Sequence, residues 1–172
     1  MAIDGSEAAG FEEALITTRG GMVMNKAARN NDRHMFDDPA LAERLFARLR
    51  PHVPPTIREL RDDPRTEWTV CGLNERFRMY RYDVGHRFKP HFDGAFHRVE
   101  DVEESALTFM VYLNDAFDGG ETRFLDEDVV VRPVAGDALL FFHGLRHEGA
   151  EVTRGRKYVL RSDVMYRRVS AS

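Results

Sequence analysis

Two periods of hydrophobicity divide the chain. Between Asp38 and Leu49, Leu41, Leu45 and Leu49 recur every four residues, which draws one apolar stripe along a helix. Asp38-Pro39 provides an N-cap followed by proline at the first helical position, and Pro51 closes the helix. Thr56-Ile-Arg-Glu59 has the spacing of a capping box and predicts a short second helix stopped by Pro64. After Glu67 the period becomes two. Trp68 to Cys71, Phe77 to Val84, Ala106 to Leu113, Glu121 to Leu125, Val129 to Val134, Ala138 to Phe142 and Lys157 to Tyr166 read as strands, rich in β-branched and aromatic residues. Asn114 to Gly120 and Ala135 to Asp137 are turn clusters. Helices first and many strands after predict an α+β, mainly β fold: a jelly roll with N-terminal helices packed on one side.

Composition narrows the class. The chain has 172 residues, 42% apolar and 31% charged, as in an ordinary soluble domain. That length predicts one domain over 1–172 with a core of its own. A net charge of −4 argues against nucleic acid as a partner. No apolar run approaches the roughly 18 residues of a membrane helix, so no membrane role is expected. The first residues have neither the basic nor the apolar stretch of a signal peptide. Cys71 is the single cysteine, too few for an internal disulfide or a multi-cysteine zinc site. A cytoplasmic location is the expectation. Cys71 lies in the apolar run Trp68 to Cys71 and reads as a small buried residue.

The candidate chemistry begins at His91-Phe-Asp93. Residues i and i+2 of an extended segment share a face, so an imidazole and a carboxylate can converge on one metal ion. A third donor must come from a distant segment, where His143 and His147 are the candidates. His147 follows an apolar run and a glycine turn and is the choice, with His143 extending the strand or supporting the site from behind. His34, His52, His86 and His97 have no second donor at a useful spacing. Two histidines and one carboxylate suit non-haem Fe(II) with open positions, and zinc can use the same set. Lys157 and Arg161 stand four residues apart and share a face with Val159 on the last strand. A cation facing a barrel interior needs an anion, which a bound dicarboxylate would supply.

Several blocks occur in a telling order: Asn74 to Asp93, Leu107 to Asp115, Gly119-Gly-Glu-Thr122, Pro133 to Asp137, His147-Glu-Gly149 and Gly155-Arg-Lys157-Tyr158. Together they resemble the prolyl 4-hydroxylase-like, 2-oxoglutarate- and Fe(II)-dependent dioxygenases. Arg29-Asn-Asn-Asp-Arg33 and Asp37-Asp-Pro39 are similar to a bacterial and fungal branch of that group. The resemblance implies a distorted double-stranded β-helix with iron at one open end, held by His91, Asp93 and His147. It implies that Lys157 pairs with the far carboxylate of 2-oxoglutarate, with Tyr82 and Tyr112 lining the pocket and Thr108 adding a hydroxyl. Arg161 would share or replace the Lys157 role. Fe(II), 2-oxoglutarate and O2 are the implied cofactors, with ascorbate as a candidate accessory reductant. The implied reaction hydroxylates an unactivated C–H of a peptidyl residue, amino acid or small metabolite and releases succinate and CO2. Related halogenases lack the carboxylate, so Asp93 points to hydroxylation. The segment up to Glu67 is too short for the separate peptide-binding domain of longer members.

Phe88, Phe92, Met110, Phe141 and Phe142 read as an apolar wall around the metal. The loops Arg19 to Asp37 and Asp93 to Ser105, the latter with Arg98 and the acidic run Glu100 to Glu104, read as substrate contacts. Two rival readings use the same donors: a non-catalytic jelly-roll sensor of metal or ligand, and a zinc hydrolase. Neither should turn over 2-oxoglutarate.

Overall fold

The computed structural model describes residues 2–14, 16–18, 21–23, 25–58, 60, 66–99 and 102–169. The helix Pro39–Leu49 starts where the capping pattern puts it. Asp38 takes an extended φ of −143° and its carboxylate accepts the Leu41 N–H at 2.8 Å. A single 3-10 turn, Arg50–His52, carries Pro51 and ends the helix. A shorter helix, Ala2–Ala9, precedes it. The predicted second helix is not formed at its start: Thr56–Ile57 is a strand, paired with Thr69 and Trp68. Pro54-Pro55 leads the chain into this segment extended, and the sheet takes its backbone groups. The rest of that prediction, Glu59 and 61–65, lies outside the described residues.

The architecture is a jelly roll of two antiparallel sheets curled face to face. The larger sheet runs Glu12–Glu13, Asp32–Asp37, Arg76–Tyr82, Lys157–Arg168, Glu103–Tyr112, Ala138–Phe142. Trp68–Leu73 pairs with the far half of Lys157–Arg168, and His97–Val99 with the start of Glu103–Tyr112. The smaller sheet runs Val129–Val131, Thr122–Phe124, His147–Gly149, Phe88–His91. Val129–Val131 stops short of its predicted end because Pro133 cannot donate to a ladder. Phe88–His91 was not legible as a strand because it contains Pro90. The structure places it at a sheet edge, where proline is tolerated.

Register decides which residues meet. Lys157 lies opposite Tyr82, Val159 opposite Tyr80 and Tyr112, Arg161 opposite Arg78 and Met110, and Asp163 opposite Thr108. Opposed residues share a face and alternate residues share a face, so these side chains form one inward surface turned towards the smaller sheet. The intervening residues point the other way. Phe77, Met79, Phe109, Leu160 and Val164 build the main core there, with Leu49 of the helix packed against them. Burying Leu49 contributes about 2 kcal/mol. Helix and core therefore lie behind the larger sheet and leave its inner face to chemistry.

One turn shapes that inner space. Gly119 has a φ of +73°, and a Cβ there would lie 2.2 Å from the Glu151 carbonyl oxygen. Only glycine fits. The tight approach presents the Gly120 carbonyl to Lys157, whose Nζ donates to it at 2.5 Å.

Candidate active site

His147 pairs directly with His91 across the smaller sheet, with Phe124 on its other side. Asp93 follows two residues after His91. One donor atom from each of His91, Asp93 and His147 falls within 4.8 Å of the others. The His91 and His147 Nε2 atoms stand 3.6 and 3.7 Å from the Asp93 carboxylate oxygens. The other ring nitrogens are engaged: His91 Nδ1 donates to the Lys89 carbonyl at 2.8 Å and His147 Nδ1 to the Leu145 carbonyl at 2.9 Å. A proton on each Nδ1 leaves each Nε2 with a lone pair aimed at the shared space.

The third donor is prepared as carefully. Thr108 Oγ1 donates to Asp93 Oδ2 at 2.5 Å, and Arg161 Nη2 stands 3.1 Å from the same oxygen. Burial alone would raise the Asp93 pKa, but Arg161, His91, His147 and Thr108 outweigh it and hold the carboxyl well below its usual range. Burial lowers the His147 pKa against the pull of Asp93. An ionised carboxylate beside two imidazoles with free Nε2 atoms is a donor set that fits Fe(II). His91, Asp93 and His147 are the residues that could hold it.

His143 is placed behind this group. Its Nδ1 meets Thr108 Oγ1 at 3.1 Å and its Nε2 meets Ser105 Oγ at 2.8 Å. Both ring nitrogens are spent, which leaves no lone pair for a metal. A relay Ser105–His143–Thr108–Asp93 results, and it corrects the expectation for Thr108. The hydroxyl does not line the pocket; it orients the carboxylate.

A narrow cleft opens from the triad into the roll, lined by Tyr82, Met110, Thr122, Val159 and Lys157. Lys157 is buried at its end, with Nζ 5.2 Å from the Tyr82 ring centre and 5.4 Å from that of Tyr112. Among the described residues, no carboxylate lies within ion-pairing distance of it, and burial lowers its pKa to about 8. Arg161 differs. It is committed to Asp93 and, at 3.5 Å, to Asp163, so its charge is largely answered by protein. Tyr112 backs Lys157 and its hydroxyl meets Thr122 Oγ1 at 2.8 Å.

The expected apolar wall is half right. Phe88 stacks on the His91 ring at 3.5 Å and Phe141 meets His147 edge-on at 4.6 Å, whereas Phe92 and Phe142 are exposed. The two expected substrate loops carry more structure than foreseen. Asp32–Asp37 is a strand of the larger sheet. Glu103 and Glu104 are buried, Glu103 paired with Arg98 and Arg167, and Glu104 with His97. His86, expected to lack companions, meets Asp32 and Asp83, but Arg81 and Arg156 already pair with those acids. Tyr80 and Thr122 escaped the sequence reading as site residues. Tyr80 shares the inward face of Tyr82 two residues on, and that alternation was the available signal.

Fold and donor set together define a class: the chain belongs to the 2OG-Fe(II) oxygenase superfamily, whose family model matches residues 77–162. Among curated relatives, "Probable prolyl 4-hydroxylase 11" of Arabidopsis thaliana is 40% identical over 83 residues, 44% of this chain and 27% of that protein. Human "Prolyl 4-hydroxylase subunit alpha-3" is 33% identical over 81 residues, 44% of this chain and 14% of that protein. The chain spans less than half the length of these curated relatives. A Pseudomonas putida prolyl-4-hydroxylase superposes with a TM-score of 0.62 at 20% identity, over 98% of this chain and 83% of that one. A Trichoplax adhaerens prolyl hydroxylase, solved with a hypoxia inducible factor peptide fragment, gives 0.64 at 14% identity, over 94% and 73%. At such identities the structural likeness is one of fold.

Proposed function

We propose that this chain is an Fe(II)- and 2-oxoglutarate-dependent hydroxylase of a peptidyl residue, amino acid or small metabolite, with prolyl substrates the first to test. The observation that carries the proposal is the meeting of His91, Asp93 and His147 and, across one cleft from them, a buried Lys157 that has no carboxylate partner among the described residues. When bound, Fe(II) with 2-oxoglutarate and O2 supplies the oxidation that replaces C–H by C–OH and yields succinate and CO2. The protein's part is to bind, orient and shield. The two Nε2 atoms and the Asp93 carboxylate would hold the metal. Lys157 would take the far carboxylate of 2-oxoglutarate, which answers a charge otherwise stranded in a dry cleft. Thr108 and Arg161 keep Asp93 ionised and fixed. Phe88, Met110 and Val159 exclude water from the reacting centre.

The test loads the protein anaerobically with Fe(II) and 2-oxoglutarate. A weak visible charge-transfer band of the chelated keto acid should appear, and O2 should then release succinate. Zn(II) should bind but yield none. No band and no succinate with a fully folded, metal-loaded protein would overturn the reading.

A further inference from the structure

A second, wider cleft opens beside the triad. It shares Tyr80, Phe88, His91, Asp93 and Arg161 with the first, but Lys157 does not reach it. Its lining is strongly cationic: Arg29, Arg33, Arg78, Lys89 and Arg161 face the single carboxylate of Asp93. Arg78 and Arg161 are anchored by Asp163, at 2.7 and 3.5 Å. Arg29 is anchored only in part. It is 5% exposed and its guanidinium lies 4.4 and 4.5 Å from the ring centres of Tyr80 and Phe88. Its Nε donates to Asn31 Oδ1 at 2.6 Å, while its buried Nη2 makes no hydrogen bond of ordinary geometry among the described residues and has the Tyr80 hydroxyl as a polar neighbour. The buried Nε of Arg161 likewise makes no hydrogen bond of ordinary geometry among the described residues, and the same Tyr80 hydroxyl is its neighbour. Donors on buried cations are costly to leave unused, and a planar oxyanion is the acceptor their geometry suits. The Tyr80 phenol registers the same field: burial would raise its pKa, but Arg29, Arg161 and Arg78 bring it down to about 8.

We propose that this cleft seats a carboxylate of the substrate, with Arg29 as its principal partner, so that the substrate is a carboxylate-bearing amino acid or short peptide. The inference rests on the oxygenase reading above and names the substrate class of that site. Phe88, under the Arg29 guanidinium, stacks on His91 at 3.5 Å. The unused donor therefore stands two rings from the metal donors, and carboxylate and oxidised carbon must lie within one or two residues of each other. The co-substrate does not compete for this place, because its far carboxylate belongs with Lys157 in the first cleft.

The test uses the Fe(II)-loaded chain with 2-oxoglutarate. Calorimetric binding, measured anaerobically, and succinate release in air are read for the free L-amino acids and their amides. The pairs acetyl-proline and acetyl-prolinamide, and acetyl-Pro-Asp-amide and acetyl-Pro-Asn-amide, separate a main-chain from a side-chain carboxylate. At least one carboxylate probe should bind about ten- to a hundredfold tighter than its amide, and more weakly as salt rises. Arg29→Gln should erase that preference, and Arg29→Lys should keep part of it if the variant with glutamine fails to fold. Carboxylates bound no better than amides, or not at all, would overturn the proposal. So would a tenfold loss of 2-oxoglutarate affinity in Arg29→Gln, which would put Arg29 in the co-substrate pocket. Slow succinate release without any probe reports on the oxygenase reading itself, so the two can fail separately.

Discussion

Replacing Lys157 by methionine should push stability and binding in opposite directions. The side chain is 4% exposed, and burial brings its pKa from 10.5 to about 8. That depression means the charged form is disfavoured in the ligand-free fold by about 3 kcal/mol. Methionine removes the cost but strands the Gly120 carbonyl, which loses its 2.5 Å partner at a cost of about 1 kcal/mol. A net gain of about 2 kcal/mol raises Tm by roughly 4–8 °C for a chain of this size. The pH dependence has a definite sign. The unfolded chain keeps this proton up to its ordinary pKa, whereas the fold releases it near pH 8. Wild-type stability should therefore rise between about pH 8 and 10.5, and the variant should lack this component. For 2-oxoglutarate the effect reverses. A charge-assisted bond in a dry cleft is worth about 1.5–3 kcal/mol, so affinity should fall about ten- to a hundredfold. Thermal melting of the metal-free protein and anaerobic calorimetry with Fe(II) give the two numbers. A variant that melts lower and binds 2-oxoglutarate within threefold of wild type would refute the argument.

Asp93→Ala should abolish succinate release and also lower the melting temperature, because it leaves buried Arg161 without its 3.1 Å partner, at about 3 kcal/mol. His147→Ala should lose turnover with little change in melting, and full activity in that variant with loss in His143→Ala would move the third metal donor to His143. Thr108→Val keeps the volume but removes the 2.5 Å bond to Asp93, and Fe(II) affinity should drop about ten- to a hundredfold by anaerobic titration. Burial and the neighbouring Glu103 push the Cys71 thiol up to about 11, so it should react slowly with thiol reagents at pH 7, and Cys71→Ser should keep 2-oxoglutarate turnover within a few-fold.

Much of this architecture is written as alternation. The four-residue step from Lys157 to Arg161 placed both cations on one face, and the structure puts them on the inward surface with Val159. The spacing of His91 and Asp93 worked in the same way, since it needed only local extended backbone. What the sequence could not tell was how those faces are paired. Whether Arg161 meets a ligand or Asp93 depends on a register joining residues about 70 apart, and no local pattern encodes it. Thr108 shows the same limit: alternation gives its face, but the neighbour it meets on that face is a protein carboxylate. The helix predicted from Thr56 failed where a capping pattern competed with a preceding proline pair and a waiting sheet edge. The acidic run from Glu100 reads as a substrate loop because its local neighbours do not reveal that Glu103 is buried against Arg167, more than 60 residues further along the chain.

Both triad imidazoles are steadied by their own main chain, each ring leaning on the carbonyl two positions earlier. A main-chain oxygen cannot be removed by point mutation. The aim of each ring is thus insulated from the drift of surrounding side chains, which leaves the clefts on either side free to diversify while the donors keep their bearing. The same economy makes the arrangement portable. Two short antiparallel strands, one ending and the other beginning with a self-braced histidine, could be grafted onto another sheet edge, and only the carboxylate would need a new support.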